Sequence, residues 1–169
     1  DYSRCVAQAF ADSGYLVVAP DYRGHNDSGG AEFTGRALAD HWYTRDAISA
    51  YFGLASLEGF DPARVYMLGH SMGGPITQRA LLVLGDKIQA ASIWSGSGER
   101  PQGYLLARDL GKSGGNDALD VAKPSLDKLA QELAQLGEEG SYENLTARKH
   151  IDELSVPLAI HHSRGDGST

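Results

Sequence analysis

The sequence predicts an α/β fold: three layers, with helices on both faces of a mostly parallel sheet. Three observations carry this expectation. Short apolar runs of strand length alternate with amphipathic helical stretches along the whole chain. Those runs are continuously apolar, as in strands buried on both faces, and do not alternate apolar with polar. The chain has 169 residues, 41% hydrophobic and 22% charged, which suffices for one domain with a sizeable core.

Residues 3–12, SRCVAQAFAD, read as a helix, with Cys5, Val6, Ala9 and Phe10 on one face and Gly14 as the stop. Cys5 is the single cysteine, so no internal disulfide is expected, and it reads as a small core residue. YLVVA, residues 15–19, is a strand closed by Pro20, and PDYRGHNDSGG, residues 20–30, is loop chemistry. Residues 38–57 are the longest helical candidate, with Leu38, Trp42, Ile48, Phe52 and Ala55 on a stripe and Tyr51 at its edge. A second strand is predicted from Val65 to Leu68, and a helix over 72–84 with Gly85 as terminator. A third strand runs from Ile88 to Trp94 and a fourth from Val156 to His161. Between them, residues 95–155 are rich in Gly, Gln and charge, with a helical piece at 125–137. That span is too long for a tight crossover and reads as an inserted helical cap.

Charge narrows the function classes. The net charge of −7 argues against nucleic acid or an anionic membrane as partner. No apolar run approaches the eighteen residues that a transmembrane helix needs. The first residue is Asp1 and no signal-peptide pattern follows it, which leaves the compartment open with the cytoplasm favoured.

The pattern GxSxG occurs twice, around Ser71 and around Ser113, so the five letters decide nothing. Their surroundings do. VYMLGHSMGG, residues 65–74, carries Ser71 from an apolar strand straight into an apolar helix, the strand–turn–helix context of a nucleophile elbow. Glycines at 69 and 73 are expected because side chains there would collide with neighbouring backbone. Ser71 is expected in a strained conformation with its hydroxyl exposed, and the N–H of Met72 beside it, at a helix N-terminus, as an oxyanion donor. Ser113 is flanked by Arg108, Asp109, Lys112, Asn116 and Asp117 and reads as a flexible turn. Asp166 follows the fourth strand in HHSRGD, at the sheet end where parallel folds present their chemistry, and is the candidate carboxylate to orient a histidine. No metal site or dinucleotide fingerprint is apparent, and the proposed chemistry requires no cofactor.

At GYLVVAPDYRG (14–24), VYMLGHSMGG (65–74) and VPLAIHHSRGD (156–166), the sequence resembles the α/β-hydrolase superfamily. The closest likeness is to the catalytic domain of prolyl oligopeptidase-type serine peptidases. The resemblance implies Ser71 as nucleophile, Asp166 as triad acid and the Met72 N–H as one oxyanion donor, with Asp21 and Arg23 shaping the rim. It implies a serine hydrolase acting on a small peptide or ester through an acyl-enzyme. A carboxylesterase of the same fold and a non-catalytic hydrolase-fold binding protein are the alternatives. All six histidines, His25, His41, His70, His150, His161 and His162, precede Asp166, whereas the family's base follows its acid. The triad histidine is therefore expected beyond Thr169, and residues 1–169 as a partial catalytic domain, incomplete at both ends, with the cap at 95–155. By itself this stretch is expected to be poorly soluble and hydrolytically inactive.

Overall fold

The computed structural model describes residues 2–96, 127–136 and 142–165. Helix α1 spans Tyr2–Asp12, α2 Ala39–Leu54, strand β1 Tyr66–His70, α3 Gly73–Leu84 and β2 Ala90–Trp94. A helix over residues 127–134, α4, and strand β3, Leu158–His161, follow. The strands form one parallel sheet in the order β1-β2-β3. Its register places His70 against Trp94 and Trp94 against His161.

The core lies between α3 and the sheet. Ile76, Ala80, Leu81 and Leu84 of α3 are all buried, at three- and four-residue spacing that keeps one helical face on the strands. Val65, Ile88, Ala91 and Val156 close the cluster, with Ile48 and Tyr51 of α2 packed against it. The expected stripe holds in part: Leu38 is buried and Ile48 packs on the core, with Tyr51 at its edge, but the buried face also takes in residues outside the stripe. Tyr43 and Thr44 are buried while Phe52 is 57% exposed. Thr44 is buried with its hydroxyl satisfied: it donates to the Asp40 carbonyl and accepts from Arg79 of α3.

The described residues depart from expectation at the N-terminal side. YLVVA forms no strand: Tyr15, Leu16 and Val18 are exposed, and a groove lined by Val18, Tyr22, Tyr66 and Leu68 separates the segment from β1. Strand pairing needs the backbones about 4.8 Å apart; here contact is through the edge-on rings of Tyr15 and Tyr66, with centroids 6.4 Å apart. An apolar run is a strand only when a ladder partner lies beside it, and none of the described residues pairs with this one. Helix α1 shares this uncovered side. Cys5 lies on the helix as expected but is exposed, not buried, and Phe10 reaches only the edge of the Tyr15 ring.

α4, within the expected 125–137 piece, docks through polar groups as well as its buried Leu129. Glu132 Oε1 accepts the Ala37 N–H at 3.0 Å and Oε2 the Leu38 N–H at 2.9 Å. Lys128, one turn earlier, donates to the Gly35 carbonyl at 2.5 Å. Leu38 is the N-cap residue of α2 and its own side chain offers no cap bond. A carboxylate 94 residues away thus takes the two N–H groups just ahead of the helix and meets the positive end of its dipole.

Candidate active site

β1 ends at His70 and α3 begins at Gly73, so the chain reverses within two residues. Ser71 takes the bend at φ 52, one of three non-glycine residues at positive φ among those described. That region is sterically unfavourable for a residue with a Cβ. It persists because both sides are fixed: the Ser71 N–H donates to the Trp94 carbonyl at 3.1 Å, and the Ser71 carbonyl accepts the Gly74 N–H at 2.9 Å.

Close backbone approach explains the flanking glycines, with one change from expectation. A Cβ at Gly69 would overlap the Gly73 carbonyl oxygen and stand 2.5 Å from Thr77 Oγ1. A Cβ at Gly73 would meet nothing within 4 Å, so the expected collision there does not exist. Crowding falls instead on Gly74, where a Cβ would sit 2.7 Å from Gly96 Cα. The start of α3 thus presses against the turn after β2.

Ser71 is exposed, and among the described residues its hydroxyl makes no hydrogen bond. Met72 is the N-cap residue of α3, and no described group accepts its N–H. An exposed hydroxyl and an uncommitted N–H on adjacent residues suit an alcohol nucleophile with an oxyanion donor at its side. Asp166 lies outside the described residues, as do Ser113 and its neighbours.

None of the six histidines is hydrogen-bonded to the Ser71 hydroxyl. His162 Nε2 donates to the Gly96 carbonyl at 3.0 Å, and His161 packs edge-on against Trp94. His25 donates from Nδ1 to the Arg23 carbonyl. His150 donates from Nδ1 to Glu153 and from Nε2 to the Asn144 carbonyl; bonding to Glu153 and to that carbonyl raises its pKa above the usual 6.5. His41 behaves oppositely. Burial, then the nearby Arg79 charge, lower its pKa to about 4, against a smaller opposing effect of the Leu145 carbonyl to which Nε2 donates. Its Nδ1 is buried and unpartnered, as suits a neutral ring.

The PDYRG loop is built as a rim. Arg23 spans Asp46 of α2 by its N–H and guanidinium while lying over the rings of Phe33 and Trp42. Tyr22 stacks on Tyr43 with centroids 5.2 Å apart, and Asp21 accepts from Asn26 at 2.7 Å. Every charged group of the loop is thus committed to a partner in the protein. Burial, then the negative charges of Asp46 and Asp40, raise the Tyr22 pKa and keep its phenol neutral.

Ser95, at φ 45, ends β2 beside the Ser71 bend. The sequence patterns above do not single it out, although a Ser–Gly pair closing an apolar strand is the signal it carries. Among the described residues there is no group of three or more His, Cys, Asp or Glu side chains placed to hold a metal ion. No described helix is long and apolar enough to cross a membrane. A family model described as the alpha/beta hydrolase fold matches residues 1–154. No curated protein matches the chain.

Proposed function

The chain belongs to the alpha/beta hydrolase fold family, and from that membership we propose that it is a serine hydrolase with Ser71 as its nucleophile. The observation that carries this reading is the bend itself. A serine held at positive φ, exposed, between the C-terminal end of a parallel strand and the first turn of a buried helix is positioned for attack on a bound carbonyl. Strain of this kind is retained where the fold fixes it and the site uses it.

In the proposed reaction Ser71 Oγ attacks the carbonyl carbon of an ester or amide and gives its proton to a histidine oriented by Asp166. The carbonyl oxygen, now negative, accepts from the Met72 N–H. The tetrahedral species collapses, the C–O or C–N bond breaks, and the leaving group takes the proton from the imidazolium. Water repeats the sequence on the acyl-enzyme and releases the acid. Within this class we favour a peptidase of the prolyl oligopeptidase type, supported by the resemblance at PDYRG and HHSRGD, over a carboxylesterase. That no described histidine hydrogen-bonds the Ser71 hydroxyl is the observation that favours the rival reading, a binding protein of hydrolase fold.

Treating the full-length protein with a fluorophosphonate probe separates the two. A hydrolase is labelled at Ser71, and Ser71→Ala abolishes the label. Unlabelled, folded protein would leave the binding reading standing.

A further inference from the structure

The three strands finish in one row. His70, Trp94 and His161 are in register, and the ladder runs one residue further: the Ser71 N–H donates to Trp94 O at 3.1 Å and the Ser95 N–H to His161 O at 2.8 Å. In a parallel sheet those bonds place residue 95 beside 71 and 162 beside 95, with neighbouring backbones about 4.8 Å apart. Ser71 and Ser95 share two further properties. Both have positive φ, and neither hydroxyl makes a hydrogen bond among the described residues.

Position 95 is one where glycine would relieve the backbone at no steric loss. Its neighbour Gly96 cannot carry a side chain, since a Cβ there would overlap Ile93 Cγ2. Of the two described residues after β2, Ser95 alone carries a side chain, and its hydroxyl sits on the strained residue, beside the nucleophile. Packing does not account for it, because Ser95 is half-exposed and its hydroxyl binds no described group.

We propose that Ser95 is a substrate-contacting residue of the Ser71 site. Its hydroxyl hydrogen-bonds a polar group one or two bonds from the reacting carbonyl, and so selects polar acyl groups, such as N-acylated aminoacyl groups, over plain alkyl ones. This rests on the reading of Ser71 as nucleophile. The one-strand spacing sets the reach: an atom held at Ser95 lies just beside a carbonyl attacked at Ser71.

The test uses the full-length protein with two p-nitrophenyl esters of similar size, N-acetylglycinate and hexanoate, and with fluorophosphonate labelling of Ser71 as reference. Ser95→Ala and Ser95→Gly are each expected to lower kcat/KM for the N-acetylglycyl ester by about ten- to a hundredfold, the effect of losing one hydrogen bond in a dry site, and to change the hexanoate value less than threefold, on the order of the scatter of near-neutral substitutions. Ser95→Gly should melt at or above the wild-type temperature, because it relieves positive φ. Equal losses on both esters, or none on either, would overturn the assignment while a labelled Ser71 left the nucleophile standing. Wild-type protein that takes no label at Ser71 overturns both.

Discussion

Arg23 and Asp46 are joined three ways. The Arg23 N–H donates to Oδ2 at 2.9 Å, Nε lies 3.0 Å from both carboxylate oxygens, and Nη2 donates to Oδ1 at 2.6 Å. The pair fixes the loop after residue 20 to the middle of α2. Asp46→Asn keeps the shape and removes the charge. It should destabilise the protein by about 1–2 kcal/mol, the value of a charged hydrogen-bonded pair reduced for its partial exposure. A fall in the urea midpoint at unchanged slope is the expected record. Burial pushes the Asp46 carboxyl up, but the bonds from Arg23 outweigh it and hold the pKa below 3.8. This stabilisation is therefore complete above the unfolded carboxyl's value of about 3.9 and fades as pH falls through the lower, folded value.

The glycines around Ser71 are not equivalent. Gly69→Ala must displace either the Gly73 carbonyl or Thr77 and should lose about 1–3 kcal/mol, the range for overpacking a tight site. Gly73→Ala meets open space and should be neutral or stabilise by about 0.4–1 kcal/mol through the unfolded chain. Thermal melts of the two variants check the contrast, and a Gly73→Ala as damaging as Gly69→Ala would contradict this geometry.

Removing Glu132 leaves two N–H groups just ahead of α2 without their acceptor. Glu132→Ala should cost about 1 kcal/mol, as loss of a helix cap does. The change should appear locally as faster amide exchange at Ala37 and Leu38, the two donors that lose their acceptor. Glu132→Gln retains an acceptor for one of them and should fall between.

His41 gives the stability a slope in mild acid. Its folded pKa, about 4, lies below the unfolded value of about 6.5. Its contribution is complete above pH 6.5, declines as the unfolded state takes up a proton on going down to pH 4, and is flat below that. Exposed His150, whose pKa is raised, acts in the other direction, losing its contribution as pH rises past its folded value. His41→Gln should flatten the melting temperature between pH 6.5 and 4 relative to wild type, whatever it does to the midpoint at neutral pH.

Local rules read most of this molecule. α1, α2, α3 and the three strands lie within two or three residues of where periodicity and glycine stops put them, because each is bounded by residues that act over one turn. The bend at Ser71 is legible for the same reason: Gly69, an apolar strand and an apolar helix are all within ten positions of it. What escaped depends on contacts distant in sequence. YLVVA has every property of a strand except a neighbour among the described residues. The burial of Thr44 on α2 goes with its bond from Arg79, and the open space at Gly73 with where α3 leaves the bend. Ser95 gains its place only from the register of β1 against β2.

The cap on α2 has a consequence for how the chain is made. Leu38 leaves the ribosome 94 residues before the carboxylate that will hold it. At ordinary elongation speeds the helix waits about 5–20 s for its acceptor. For that interval the N–H groups of Ala37 and Leu38 turn to water, and a nascent-chain protease should find the junction near Leu38 open until translation passes Glu132.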